Sequence, residues 1–112
     1  MDRLTHYKQI MAQLTTKFAE LYALDEENVD TVVVVDHPNG VYQLYHIGWD
    51  GHTRVRENCT HVRVKNGKFW IEDDWTADGI VTHLKEAGIP NEDIVLAFNP
   101  PDMRQYTEYA VV

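Results

Sequence analysis

Three short glycine-containing pairs divide the middle of the chain and limit what it can fold into. Asn39-Gly40, Asp50-Gly51 and Asn66-Gly67 each separate two stretches rich in β-branched and aromatic residues. Pairs of this kind favour tight β-hairpins, because both central residues tolerate a positive φ. Four strands joined by three tight turns run up and down in order, so the sequence predicts an antiparallel meander.

The third strand, residues 53–65, interrupts the alternation of its side chains. Its apolar residues stand at odd positions in the first half and at even positions in the second half. Since side chains alternate with a period of two, one face holds all of them only if the strand contains an extra residue. We therefore predict a β-bulge or bend between Glu57 and His61. The apolar residues concerned are Val55, Cys59, Val62 and Val64.

The periodicity of residues 2–23 predicts a long amphipathic helix. Apolar residues follow one another at spacings of three and four, and Gln9, Gln13 and Glu20 lie on the opposite side. The stripe spans three heptads, so we expect the helix to pack on the sheet, with a coiled coil as the alternative. The stripe comprises Leu4, Tyr7, Met11, Leu14, Phe18 and Leu21, and Ile10 and Tyr22 widen it.

A second helix is predicted after the meander. Thr76 is suited to be its N-cap, and Asp78 in the first turn favours the helix dipole. Gly88 stands where a left-handed residue ends a helix, Ile89 supplies the apolar contact of a Schellman motif, and Pro90 prevents continuation.

Short segments complete the predicted fold. Residues 69–71 form the fourth strand, which the acidic residues 72–74 end, and residues 94–98 and 106–112 form two further strands. Residues 1–112 are thus expected to form one α+β domain: an N-terminal helix, an antiparallel β-meander, then a helix and C-terminal strands.

Composition excludes several classes of protein. The chain has 112 residues and one cysteine, which excludes an internal disulfide framework and a multi-cysteine zinc site. Its apolar runs are too short for a membrane span and its N-terminus does not read as a signal peptide, so a soluble, cytoplasmic protein is expected. A net charge of −8 argues against tight binding to nucleic-acid phosphates.

The sequence contains no recognisable pattern of catalytic residues and no ligand-binding motif. The six histidines are scattered without the helical spacing of a zinc motif, and the sequence contains no glycine-rich phosphate loop or nucleophile motif. Cys59 is expected to be a small buried apolar residue. We therefore predict no catalytic residues, no cofactor and no metal site.

Positive charge is concentrated in one segment. Residues 54–68 carry a net charge of +4, whereas the rest of the chain carries −12. Three interpretations are possible: a solvated strand face with cross-strand ion pairs, a docking surface for an acidic partner, or a weak nucleic-acid contact.

Five short segments carry a family resemblance. They are, in order, IGWDG at 47–51, KNGKFWI at 65–71, GIP at 88–90, EDIVLAF at 92–98 and YTEYAV at 106–111. Together they resemble the fdxN-element excision controlling factor family, the XisI-like proteins of filamentous cyanobacteria. The resemblance covers nearly the whole chain, and the sequence departs from the family pattern at residues 57–59, at residues 72–75 and at Ala97.

The resemblance implies a function in the control of DNA excision. In this family, a XisI-like factor acts with a XisH-like partner and a separate recombinase when a DNA element leaves a nitrogen-fixation gene. The implied function is therefore that of a non-enzymatic accessory factor that binds a XisH-like protein. Its partner-binding surface is expected to comprise Trp49, Arg54, Arg56, Lys65, Lys68, Trp75 and Arg104.

Two other functions are alternatives. One is a small-molecule-binding domain or enzyme with a pocket near His46, Trp49 and Trp70, and the other is a factor that binds DNA directly. A deep pocket with convergent histidine and carboxylate groups would indicate the first, and a continuous positive face would indicate the second.

Self-association as a homodimer or higher homo-oligomer is also expected. The three-heptad stripe, the apolar C-terminus and twelve aromatic residues offer more apolar surface than one small sheet face buries. Exposed sheet edges favour pairing, and twofold dimers are the commonest result.

Overall fold

The computed structural model describes residues 2–112, which form an α+β fold with a five-stranded sheet in the order β1-β2-β3-β4-β5. The first four strands form the predicted antiparallel meander, and β5 pairs with β4 in parallel. No helix within residues 2–112 is long and apolar enough to cross a membrane. The elements are α1 (Arg3–Leu21), β1 (Val29–Asp36), β2 (Val41–Asp50), β3 (Thr53–Lys65), β4 (Lys68–Asp74), α2 (Ile80–Glu86), a first 3-10 helix (Asn91–Asp93), β5 (Ile94–Val95) and a second 3-10 helix (Pro101–Tyr106).

Two of the predicted turns are tight two-residue connections. Asn66 and Gly67, between β3 and β4, both have positive φ, 53° and 73°, as the type I′ signal requires. The second turn lies one residue later than predicted, because Asp50 still pairs with Thr53 and the connection is Gly51-His52.

The first connection is longer than an Asn-Gly pair implies. Asp36 pairs with Val41, which leaves a loop of four residues from 37 to 40. The carboxylate of Asp36 accepts hydrogen bonds from the backbone N and side-chain Nδ2 of Asn39, at 3.1 and 2.8 Å, and these bonds lower the pKa of Asp36. Gly40 is required here, since it has φ 64° and a Cβ would lie 2.4 Å from the carbonyl oxygen of Val64.

The predicted bulge in β3 is confirmed. Leu44 of β2 pairs with Thr60, but the next residue, Tyr45, pairs with Asn58, so Cys59 is the extra residue. Cys59 and Thr60 are consecutive and both are buried, which a regular strand does not permit. The expectation that Cys59 is a buried small residue is also confirmed.

The apolar stripe of α1 packs on the sheet of its own chain, as expected, and is not available for a coiled coil. Its ends differ from the prediction, because Leu4 and Leu21 are exposed, while Thr15 is buried and donates its hydroxyl to the carbonyl oxygen of Met11. An α-helix rotates its heptad positions by about 20° per heptad, so a straight helix cannot keep a three-heptad seam on one line. The core comprises Tyr7, Met11, Phe18, Tyr42, Leu44, Val62, Val64, Phe69, Ile71, Ile80, Leu84 and Ile94, among others.

A buried hydrogen bond fixes the start of α1. The Tyr7 hydroxyl donates to Oδ2 of Asp93 at 2.5 Å, and both residues are buried. The ring of Phe69 packs 4.5 Å from that of Tyr7, and Arg3 Nη1 lies 3.7 Å from the Asp93 carboxylate. This contact joins α1 to the first 3-10 helix, 86 residues away along the chain.

The second helix begins later than the sequence predicts. Thr76 does not cap it; the carboxylate of Asp74 does, accepting from the backbone N of Ile80 at 2.7 Å and from that of Thr76 at 3.0 Å. Gly79, the residue before the helix, has φ 83°, which is incompatible with helix and delays its start.

The end of α2 is as predicted. Gly88 has φ 85°, Ile89 N donates to the carbonyl oxygen of Leu84 at 3.0 Å, and Gly88 N donates to that of Lys85 at 3.0 Å. These two bonds form a Schellman motif.

The predicted strands after β3 are wrong in extent. β4 continues to Asp74 instead of stopping at residue 71, and β5 ends at Val95 because Ala97 N turns back to the carbonyl oxygen of Val95. Residues 106–112 form no strand and contribute a single bridge between Val95 and Ala110. The second 3-10 helix begins at Pro101 and includes Tyr106, so the chain is not extended where the predicted strand would begin.

We expect Gly88→Ala to lower the free energy of unfolding by about 1 kcal/mol, because an alanine resists the positive φ of this position. Urea denaturation of the two proteins measures the difference. Glu86→Ala, in the last turn of the same helix, is the matched control and should change the free energy much less. An unchanged midpoint for Gly88→Ala would contradict the role of this residue.

The buried tyrosines should make stability depend on alkaline pH. Burial, aided by the bond to Asp93, raises the pKa of Tyr7 from 10.0 to about 12, and burial raises the pKa of Tyr42 to about 12. Their contribution to folding is complete below pH 10 and is lost as the pH rises through about 12. We expect the free energy of unfolding to fall over this interval, and to fall less in Tyr7→Phe. Tyr106→Phe, on an exposed ring, is the control, and an identical fall in Tyr7→Phe would refute the explanation.

Candidate interaction surface

The sheet has two faces with different surroundings. The inner face, which α1 covers, carries Tyr42, Leu44 and His46 of β2, all buried. The opposite face, which we call the outer face, carries Ile47 and Trp49 of the same strand. The period-two alternation of residues 41–49 in the sequence predicts this division.

One end of β2 and β3 extends beyond the rest of the sheet. β4 pairs with β3 only from Thr60 onward, so residues 53–58 have no strand on that side. Trp49 and Arg54 pair across this extension, and the Arg54 guanidinium carbon lies 5.0 Å from the centre of the Trp49 ring. The Arg56 side chain forms no hydrogen bond or ion pair with any residue from 2 to 112.

Trp75 reaches the same end of the molecule from β4. Its backbone N donates to the carbonyl oxygen of Cys59 at 2.9 Å, beside the bulge, and its side chain is 78% exposed. Four of the seven predicted partner-binding residues therefore lie at this end, which we call the distal end. They are Trp49, Arg54, Arg56 and Trp75.

The three other predicted residues lie at the opposite end of the sheet and contact their own chain. Lys65 Nζ lies 4.3 Å from the centre of the Trp70 ring, and the Arg104 guanidinium carbon lies 5.8 Å from the same ring. Lys68 donates to the carbonyl oxygen of Val112, and Arg104 donates to backbone carbonyls of the C-terminal segment. Lys68 and Arg104 thus join the C-terminal segment to the sheet, while Lys65 stacks on Trp70 within the sheet.

The middle of the basic segment is neutralised within the chain. Arg63 donates from Nε and Nη2 to Oε1 of Glu72, at 3.0 and 2.8 Å. Of the three interpretations of this segment, cross-strand pairing is thus correct for Arg63, and the free cations are confined to the distal end.

A groove of about 830 Å³ lies beside the distal cations, between the C-terminal end of α1 and the extension of β3. His46 lines it and is itself buried, with Nε2 3.0 Å from the carbonyl oxygen of Tyr22. Leu21, Leu24 and Trp75 also line the groove and are exposed. No local pattern in the sequence predicts this groove, because its walls are formed by segments that are distant along the chain.

The pocket predicted near His46, Trp49 and Trp70 is not formed. His46 lies on the inner face and Trp49 on the outer face of the same strand, because they are three positions apart in an alternating pattern. Trp70 lies at the other end of the sheet, 9% exposed, with its indole N donating to the carbonyl oxygen of Lys65 at 3.1 Å.

The distal end offers groups for recognition by stacking, apolar contact and charge. It combines exposed indole rings, unpaired or stacked guanidinium groups and an apolar groove with acidic residues Glu57 and Asp73 in its lining. Burial raises the pKa of the Cys59 thiol, which keeps it protonated and poorly nucleophilic. Within residues 2–112, no three side chains of histidine, cysteine, aspartate or glutamate converge as a metal site requires.

Comparison with known proteins identifies similar chains over the full length. A family model described as XisI protein matches residues 1–111. The solved structure of the fdxN element excision controlling factor XisI from Anabaena variabilis ATCC 29413 is 35% identical, with a TM-score of 0.90 over 99% of this chain and 100% of that one. A XisI-like protein from the same organism is 31% identical, with a TM-score of 0.91 over 97% and 99%. The curated proteins include no match.

Proposed function

Because the chain belongs to the XisI family, we propose that it is a non-enzymatic accessory factor that controls excision of a DNA element. We further propose that it acts in the cytoplasm by binding a XisH-like protein. The 35% identical relative is an fdxN element excision controlling factor, which supports a function in this process. The surface at the distal end supports binding of a protein as the mode of action.

The observation that carries the proposal is the grouping of exposed aromatic and cationic side chains at the distal end. Trp49 is 48% exposed and Trp75 is 78% exposed, although both are large apolar residues. Tryptophan and arginine dominate the energetics of protein interfaces, where they fill pockets and displace water. An apolar groove next to them provides the concave surface that an inserted side chain or helix of the partner needs.

The groove also favours a second candidate function, binding of a small molecule. Its volume of about 830 Å³ falls within the usual range of ligand sites, and His46 and two carboxylates line it. A small ligand in the groove would not require Trp49 or Arg54, which lie on the outer face, whereas a protein partner that spans the distal end would contact both.

We expect Trp75→Ala and Arg54→Glu each to weaken capture of a XisH-like protein at least tenfold. Trp75 supplies exposed contact area, and Arg54 supplies charge for an acidic partner surface, so its effect should shrink as salt is added. Co-purification of the tagged chain with a XisH-like protein encoded in the same genome, titrated by surface plasmon resonance, measures the change.

The matched control for this experiment is Lys8→Glu, which reverses a charge on α1 about 20 Å along the helix from Leu21 and the groove. Denaturation midpoints of all variants establish that they fold equally well. Capture by the wild-type chain that neither variant reduces would overturn the proposed surface, and no capture at all would overturn the proposed partner.

The isolated chain should bind duplex DNA no more tightly than typical non-specific binding, Kd ~10⁻⁴–10⁻⁶ M at physiological salt. Arg63 is already paired with Glu72, Lys65 stacks on Trp70, Lys68 contacts the C-terminal residue Val112, and the net charge is −8. A gel-shift titration from 50 to 200 mM salt tests this expectation. Nanomolar, sequence-selective binding that Arg54→Glu abolishes would favour direct DNA binding instead.

A further inference from the structure

The outer face of the sheet is apolar at its centre, yet no part of the chain covers that centre. Val32 and Val34 of β1 and Tyr45 and Ile47 of β2 lie there and are partly exposed. None of them belongs to the core or packs against it. A sheet face that remains in water normally alternates to polar residues, so this composition indicates a face that is covered.

Charge is distributed asymmetrically across this face. β1 and the loop before it, residues 25–36, carry five acidic residues and no basic one, whereas β3 presents Arg54, Arg56 and Arg63. β2 lies between them, so one side of the face is acidic and the other is basic.

The strand registers place the opposite charges at equal heights along the sheet. Asp30, Ile47 and Arg56 form one row across β1, β2 and β3. A second row, six residues along β1, contains Asp36 and Arg63. Directly paired residues point to the same face, so the acid and the base of each row both lie on the outer face.

We propose that a second copy of this chain covers the outer face, with the twofold axis running along β2. This rotation places β2 over β2 of the second copy and β1 over β3 of the second copy. Asp30 then lies opposite Arg56 of the second copy, and Tyr45 and Ile47 lie opposite their own copies on the axis. Val32 and Val34 face Asn58 and His61 of the second copy. Since Arg63 already pairs with Glu72 of its own chain, the Asp30–Arg56 contacts supply the charge complementarity. The result is two stacked sheets, with charge pairs at both margins and apolar contacts between them.

Charge also argues against the simplest rival, in which the edge strands β1 pair with each other. An antiparallel pairing of the two β1 strands centred on Val33 places Asp30 opposite Asp36 of the second copy, and directly opposed like charges destabilise a sheet. The face-to-face arrangement converts the same acidic residues into attractive partners.

A charge-exchange experiment tests the interface. The wild-type chain should sediment at micromolar concentration with twice the monomer mass of 13.0 kDa. Asp30→Arg and Arg56→Asp each create two like-charge contacts in the dimer, so each variant alone should dimerise at least tenfold more weakly. An equimolar mixture of the two variants should recover the dimer, because it pairs the introduced arginine with the introduced aspartate and keeps the native pair at the other contact.

Cross-linking gives a second measurement that does not depend on charge. A residue on the twofold axis lies opposite itself, so Gln43→Cys on the outer face of β2 should be linked to its own copy by a short bifunctional maleimide. Lys17→Cys on α1 is the matched control and should not be linked. Any of four results would overturn the proposal. The wild-type chain could be monomeric, the single variants could dimerise normally, their mixture could stay monomeric, or the Gln43→Cys variant could fail to cross-link.

Trp49, Arg54 and Arg56 lie on the outer face and belong to both proposed surfaces. Asp30 belongs only to this interface and Trp75 only to the surface proposed for the partner, so the two proposals can fail separately. Asp30 does not line the distal groove, so Asp30→Arg should impair self-association without reducing capture of the XisH-like protein. Trp75→Ala should show the opposite pattern.

Discussion

The single extra residue at Cys59 makes the rest of the sheet possible. With Val62 and Val64 in the core, a regular strand would also turn Arg54 and Arg56 inward, onto the face that α1 covers. That orientation would remove Arg54 from the Trp49 ring on the outer face and would turn Val55, which is half-buried on the inner face, outward. The strand therefore requires a change of phase between its two halves. The bulge provides that change, and it lets one strand supply both core valines and exposed arginines.

The two faces of the sheet consequently differ in what covers them. On the inner face, α1 and the buried Tyr7–Asp93 hydrogen bond close the core and fix the helix against segments far away in sequence. On the outer face, apolar residues are left uncovered between an acidic and a basic strand. Stability therefore depends on the inner face, while the associations that we propose use the outer face and the distal end.

The distal end exists because β4 is shorter than β2 and β3. β4 leaves β3 at the bulge, so the remainder of the β2–β3 hairpin projects past it and Trp75 turns to its side. The end of α1 then forms the other wall of a groove. The hairpin holds the backbone of Trp49, and the hydrogen bond from Trp75 N to the carbonyl oxygen of Cys59 holds that of Trp75. Their side chains remain 48% and 78% exposed.

Local backbone constraints in the sequence were sufficient to predict the meander, the bulge between Glu57 and His61, the two faces of β2 and the end of α2 at Gly88. Each depends on residues within a few positions of one another. The predicted start of α2 was wrong because Asp74, six residues before Ile80, accepts the hydrogen bond that was assigned to Thr76. The predicted final strand was wrong because the second 3-10 helix leads the chain out of the extended conformation. Only the tertiary structure decided which cations of residues 54–68 are free and which are neutralised. It also brought Trp49 close to Trp75 and formed the groove at His46. They depend on strand register and on packing between distant segments, which determine where a side chain lies and which neighbour neutralises its charge.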